Sequence, residues 1–291
     1  MAIELSQIGN SFAREVRNLA LWSVADPQRF AEIRQAWGEC GVLVFRKQSL
    51  SEDELVAFSS GLGLPERIVR SDWASRLRPE VTYISNLRDQ DGSPIGGLGA
   101  NELDWHTDQS YMANPATGAL LYGVEIPRAG GATYWANLAL AYAALPDALK
   151  TAVAGRQGIF SYAKRSASYV KESQPDEDIR RKTPDVLHPL VHVHPLTGRK
   201  ALYIDPATMD GIEGMPMDES RALLTELAAH ATRPEFVYRH EWQPGDAVLW
   251  DNGVVLHRRD TFDASERRLL KRTTFRLPAA QHIIPGESLA A

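Results

Sequence analysis

Residues 235–259 read EFVYRHEWQPGDAVLWDNGVVLHRR. Three runs, FVYRHEW, DAVLW and VVLHRR, follow one another with only Gln-Pro-Gly and Asp-Asn-Gly between them. Runs this short, rich in Val, Leu, Tyr and Trp and punctuated by turn formers, read as strands. The same texture extends outward to VTYIS (81–85), GALLYGVEI (118–126), ATYWA (132–136), PLVHVH (189–194), KALYI (200–204) and KRTTFRL (271–277). Helices are fewer. Asp26 caps a helix with Pro27 at its first position and Phe30, Ile33, Ala36 and Trp37 at helical spacing. The first forty residues as a whole read as helical. Ser51 and Glu54 form a capping box ahead of Leu55, Phe58 and Leu62. A third helix is expected from about Asp218 to Thr232, with Ala222, Leu223, Leu227 and Ala231 on its apolar face, and another after Asn137. Many short strands with few intervening helices exclude a doubly wound sheet. They predict a mainly β fold, a sandwich or barrel with flanking helices.

Composition narrows the function classes. The 291 residues are 44% hydrophobic and 24% charged, with 32 Lys+Arg against 37 Asp+Glu and a net charge of −5. Nucleic acid is not expected as a partner, because phosphate binding needs a basic field. No apolar run approaches the ~18 residues of a membrane helix, and MAIELSQIGN lacks the basic start and apolar core of a secretory signal. Cys40 stands alone, which excludes internal disulfides and multi-cysteine metal sites. The expectation is a cytoplasmic protein with a small-molecule substrate, no membrane or nucleic-acid partner, and homo-oligomer formation left open. With no repeat or linker, residues 1–291 read as one domain. The polar segment 161–186, with Tyr162, Lys164, Arg165 and Tyr169, reads as a mobile loop able to order over a substrate.

Trp105-His106-Thr107-Asp108 places His106 and Asp108 two apart, on one side of an extended segment. His257, on a strand far downstream, can return to them in a barrel. Two histidines and one carboxylate make the facial triad of non-haem Fe(II) oxygenases, which leaves three metal positions open. A bidentate 2-oxo acid takes two of these and dioxygen the third. Within Arg267-Arg268-Leu269-Leu270-Lys271-Arg272, a strand would put Arg268 and Arg272 on one face. A guanidinium fork inside the barrel grips a carboxylate in bidentate fashion. Gly130-Gly131-Ala132-Thr133 is a tight turn into a strand, and its hydroxyl can join that arginine.

WHTDQSY (105–111), PRAGGATYWAN (127–137), HPLTGRKALYI (194–204) and the opening 235–259 stretch together resemble the taurine/2,4-dichlorophenoxyacetate dioxygenase family, closer to the phenoxyacetate branch. The resemblance implies a double-stranded β-helix, or jelly roll, using Fe(II) with 2-oxoglutarate and dioxygen as cosubstrates. It implies hydroxylation of a small organic substrate with release of succinate and CO2, and bond cleavage where the attacked carbon bears a heteroatom. Residue by residue, His106, Asp108 and His257 match the iron ligands. Thr133, 27 residues after His106, and Arg268, 11 after His257, match the pair on the distal 2-oxoglutarate carboxylate. Arg272, 15 after His257, matches an arginine beside the cosubstrate that holds the substrate anion in some relatives. Two features depart from the pattern. Glu102 stands where the taurine branch has a small amide, and Arg67 and Arg70 occupy the early substrate loop.

The favoured substrate is therefore a small anion, such as an aryloxy- or alkoxyalkanoate, held by Arg272 with Arg67 or Arg70 against Tyr111, with Met112 and Leu121 as further apolar candidates. Glu102 turned inward would instead favour an amino acid or aminoalkyl sulfonate. Turned outward, it would pair with an arginine. Two rivals from other classes are a zinc metallohydrolase built on His188, His192 and His194, and a non-catalytic jelly roll that senses an acidic metabolite. The second is disfavoured because every ligand and anchor position is filled.

Overall fold

The computed structural model describes residues 3–67, 70–167 and 183–278. A nine-stranded sheet runs in the order Glu4–Gln7, Arg14–Arg17, Val42–Phe45, Ala247–Asp251, Gly118–Glu125, Leu269–Arg276, Val81–Ser85 and Gly97–Leu98, with Leu64–Pro65 also pairing on Leu269–Arg276. A four-stranded sheet orders Val237–His240, Thr133–Asn137, Val255–Arg259 and Leu103–His106. From Val237 to Arg276 successive strands alternate between the small and the large sheet, as do Leu103–His106, Gly118–Glu125 and Thr133–Asn137. That alternation is the winding of a jelly roll, and the expected fold class is the one found.

Period-two patterning explains why the large sheet is dry on both faces. Val42, Val44, Ala119, Leu121, Val248 and Trp250 face the inter-sheet core with Trp135 and Tyr238 of the small sheet. Their neighbours Leu43, Phe45, Leu120, Tyr122, Ala247, Leu249 and Phe275 face outward under helices Pro27–Cys40 and Glu52–Leu62. A strand buried on both sides reads as an unbroken apolar run, as VLVF does. Both helix starts are as expected: Asp26 accepts from the Gln28 N–H, and Ser51 and Glu54 close a reciprocal capping box. The long connection from Asn137 to Val237 carries helices Leu138–Ala143 and Met217–Ala231, a three-stranded sheet and a two-stranded sheet.

The structure differs from the sequence reading in three places. Residues before Pro27 are mostly extended: Glu4–Gln7 and Arg14–Arg17 form a hairpin whose second strand pairs in parallel with Val42–Phe45. The free edge of the buried sheet, rather than helical spacing, decides their state. In the helix Met217–Ala231, Leu227 and Ala231 are buried as expected, whereas Ala222 is exposed. Tyr162–Ala167, read as loop, is a short helix that buries Tyr162, Arg165 and Ser166. The rest of that expected loop through residue 182, including Tyr169, lies outside the described residues. Among the described residues no helix is long and apolar enough to cross a membrane.

Truncating a side chain beneath the two outer helices tests this layering without touching the inter-sheet site. Leu249→Ala removes a fully buried side chain and is expected to cost about 2–5 kcal/mol in urea unfolding.

Candidate metal and cosubstrate site

His106 ends strand Leu103–His106, and Asp108 follows two residues later, while His257 sits mid-strand in Val255–Arg259. The register sets His257 opposite His106, with ring centroids 4.1 Å apart. Just beyond, Arg259 aligns with Leu103, so Asp104 and Trp105 face Arg258 alone and the shorter strand bulges. The chain leaves the ladder after His106, and Asp108 turns back toward the two rings. One ligand atom from each of the three buried side chains lies within 4.8 Å of the others. Among the described residues this is the only such trio of His, Cys, Asp or Glu groups.

The atoms around the trio are arranged as a metal would require. His106 Nδ1 lies 2.7 Å from the Asp104 carbonyl, which fixes the proton on Nδ1 and leaves the Nε2 lone pair free for a metal. Asp108 Oδ1 accepts a 2.7 Å bond from Arg272 Nη1, while Oδ2 is buried without a partner. Burial, with smaller contributions from nearby charges, pushes the His257 imidazole down to about 4 and holds His106 well below the usual histidine range. Both rings are therefore neutral at neutral pH, the form that binds metal. Two neutral imidazoles and a carboxylate with a spare oxygen fit a divalent transition metal.

The histidines of HPLVHVH brace this site instead of forming another. His188 Nε2 bonds the Ser110 carbonyl at 2.9 Å, on the loop carrying Asp108. Asp205 holds the same loop through the Ser110 hydroxyl at 2.6 Å and the Thr107 N–H at 3.3 Å. His192 Nε2 bonds the Gly253 carbonyl at 2.6 Å and His194 Nε2 meets Asp251 at 3.0 Å, fixing the turn that leads to His257. The Nε2 of each is committed to a separate partner, and among the described residues the three histidines do not gather as a metal-ligand group, which removes the zinc reading.

Over the trio opens a cavity walled by Arg70, Arg165, Arg272, Trp73, Leu98 and Tyr111. The Arg70 guanidinium sits 4.2 Å above the Trp73 ring and donates from Nε to Asp72 at 2.8 Å. Beside the Gly130-Gly131 turn lies Arg268, 1% exposed, whose Nε and Nη1 have no partner. Gly130 and Gly131 take left-handed φ of +77° and +67°, and a Cβ on Gly131 would stand 3.3 Å from Arg268 Nε. This turn brings the chain past the guanidinium into Thr133. The Thr133 hydroxyl accepts from the Trp242 indole at 2.9 Å, which leaves its own hydrogen to donate.

The expected site residues divide cleanly. His106, Asp108, His257 and Arg272 converge, and Arg70 and Tyr111 line the cavity. Glu102 is a correction: its side chain is 60% exposed and pairs with Arg258 at 3.2 Å, outside the cavity, so it faces no substrate. Arg67 is exposed and Leu121 belongs to the core. Trp73 and Leu98 supply the apolar wall in place of Leu121 and Met112. Arg165 reaches the cavity from its short helix. Arg259 is a buried arginine that the sequence reading passed over, although its spacing of two from His257 marks the same strand face.

Burial lowers the pKa of His106, His192, His240 and His257 together. The unfolded chain takes up protons near the ordinary value of about 6.5 while the folded protein resists them, so stability rises with pH across this interval. The metal-free protein is expected to lose stability as pH falls from about 6.5 toward about 4, the folded-state value of His257. Urea midpoints at several pH values check this, and a midpoint that climbs on acidification would contradict it.

The sequence profile described as "Taurine catabolism dioxygenase TauD, TfdA family" matches residues 4–274. The chain is 37% identical over 283 residues to the alpha-ketoglutarate-dependent 2,4-dichlorophenoxyacetate dioxygenase of Cupriavidus pinatubonensis, covering 94% of this chain and 98% of that one. It is 31% identical over 281 residues to the (S)-phenoxypropionate/alpha-ketoglutarate-dioxygenase of Sphingobium herbicidovorans, covering 92% and 93%. Among solved structures, AAD-2 in complex with Mn(II) and N-oxalylglycine superposes with TM-score 0.80 at 29% identity, over 96% of this chain and 98% of that one. A taurine dioxygenase from Burkholderia xenovorans gives 0.77 at 33%, over 94% and 91%. The chain belongs to the TauD/TfdA dioxygenase family.

Proposed function

We propose that the protein is an Fe(II)- and 2-oxoglutarate-dependent dioxygenase that oxidises a small organic anion of the aryloxy- or alkoxyalkanoate class. The observation that carries this reading is a His-Asp-His trio with a spare carboxylate oxygen beneath a cavity walled by three arginines, together with a buried Arg268 guanidinium that has two open donor nitrogens. His106, Asp108 and His257 would hold the metal. Arg268 and Thr133 would take the distal carboxylate of 2-oxoglutarate, one as a charged fork and the other as an oriented hydroxyl. N-oxalylglycine, seen with Mn(II) in AAD-2, differs from 2-oxoglutarate only by NH in place of a methylene, which supports this choice of cosubstrate. Residues 4–274, the span of the family match, would act as one domain.

Iron with 2-oxoglutarate and dioxygen supplies an oxidant that puts one oxygen atom into a substrate C–H bond, the other leaving in succinate as CO2 is released. The chain's task is placement. Arg272 fixes Asp108 so that one carboxylate oxygen faces the rings. Arg70 and Arg165 offer charge to a substrate carboxylate, while Trp73, Leu98 and Tyr111 offer apolar surface to its organic part. Where the hydroxylated carbon bears an ether oxygen, the product is a hemiacetal that collapses and cleaves the carbon–oxygen bond. With Glu102 outside and Asp108 engaged by Arg272, no free carboxylate among the cavity's described residues would greet a substrate amine. The amino acid and aminoalkyl sulfonate readings are accordingly disfavoured.

Two experiments test the assignment. His106→Ala and His257→Ala are each expected to abolish substrate-dependent succinate formation while the protein stays folded, and near-normal turnover in either would remove the reading. Arg268→Ala removes a charged partner from a buried carboxylate, at a cost of about 2–5 kcal/mol. It should raise the KM for 2-oxoglutarate by at least about 30-fold, with Thr133→Ala raising it less. An unchanged KM in Arg268→Ala would move the anchor elsewhere.

A further inference from the structure

Arg259 has no part in the reaction as assigned, yet only 3% of it is exposed. It lies two residues after His257 and so points to the same, interior face of its strand. Directly across the ladder its partner is Thr133, which sets the two side chains next to each other on that face. Arg268 approaches from the other sheet. The Phe262 ring lies 5.5 Å from the Arg259 guanidinium carbon and 5.6 Å from that of Arg268. Arg259 spends Nη2 on the carbonyls of Leu98, at 3.0 Å, and Asn101. Its Nε and Nη1 are buried without partners, as are Nε and Nη1 of Arg268. Among the described residues no carboxylate forms an ion pair with either. Two buried cations with four open donor nitrogens between them lack an anion, not a scaffold.

We propose that Arg259 is a second guanidinium of the distal-carboxylate site, closing on the same carboxylate as Arg268 and Thr133. The proposal rests on the cosubstrate reading above and adds a specificity element to it. One guanidinium fixes a carboxylate along one edge, and a second engages the oxygen lone pairs left open. Such a clamp selects a 2-oxo acid carrying a distal carboxylate over one ending in a methyl group. Because Nη2 of the same residue fastens the Leu98 loop, the clamp is also tied to the apolar wall of the substrate cavity.

The test is calorimetric titration of the Mn(II)-loaded protein with 2-oxoglutarate and with 2-oxopentanoate, which has the same chain length without the distal carboxylate. Arg259→Met is expected to weaken 2-oxoglutarate about 10- to 100-fold and to leave 2-oxopentanoate unchanged. Arg259→Gln keeps an amide donor for the Leu98 and Asn101 carbonyls but removes the charge. It should show the same selective loss, and it carries the test if the Met variant fails to fold. Equal weakening of both acids, or undiminished 2-oxoglutarate binding in a folded variant, would overturn the proposal and leave Arg259 as a loop fastener. A wild-type protein that does not bind 2-oxoglutarate would overturn the cosubstrate reading itself, and this inference with it.

Discussion

The alignment of His257 with His106 across the edge of the four-stranded sheet is the constraint on which the remaining chemistry depends. A slip of one residue on either strand would turn one imidazole to the outer face, because side chains alternate sides along a strand. The register is held by more than the ladder. Trp250 packs 5.1 Å from the His257 ring, and three histidines and an aspartate from the long connection grip the turns on either side. The connection between the two halves of the jelly roll thus serves as a brace for two loops. This explains why a segment with three histidines holds no metal site of its own among the described residues.

A second theme is charge placed where water is scarce. Burial pulls the Arg259 guanidinium down to about 10 and Arg268 well below its ordinary value, the second also feeling the first. A guanidinium stays protonated in proteins, so the folded chain stores an unfavourable interaction that a carboxylate ligand would relieve. Opposing stabilisation comes from the dry packing of both faces of the large sheet. Helices Pro27–Cys40 and Glu52–Leu62 seal one face and the small sheet covers much of the other. Binding energy that relieves buried charge is gained only by ligands with the anion in the right place, which makes it a source of selectivity as well as affinity.

Much of this was legible in the residues. Short apolar runs split by Pro-Gly and Asn-Gly gave the strands, and caps at Asp26 and Ser51 gave the helix starts, since both are local signals. The trio was legible because its members are unusual in type and two of them sit two residues apart. What the residues could not disclose was set by distant neighbours. The hairpin before Pro27 forms on the edge of Val42–Phe45, and Glu102 turns outward because Arg258 lies across the sheet edge. Tyr162–Ala167 folds because the core accepts Tyr162. Arg259 was hidden differently: LHRR looks like a solvated charge pair, yet Arg258 stacks 3.8 Å over Tyr134 outside while Arg259 goes inside.

The bond from Arg272 to Asp108 Oδ1 bears on metal choice. With one oxygen engaged, the carboxylate has a single oxygen to offer, and the set becomes two nitrogens and one oxygen. Such a set does not prefer iron on affinity: across the first transition row, binding strengthens from manganese through iron and cobalt to nickel and copper. The identity of the ion in the proposed centre would therefore be decided by which ions the surroundings supply. Nickel or copper, where present in excess, would occupy the same ligands and displace the metal that performs the oxidation.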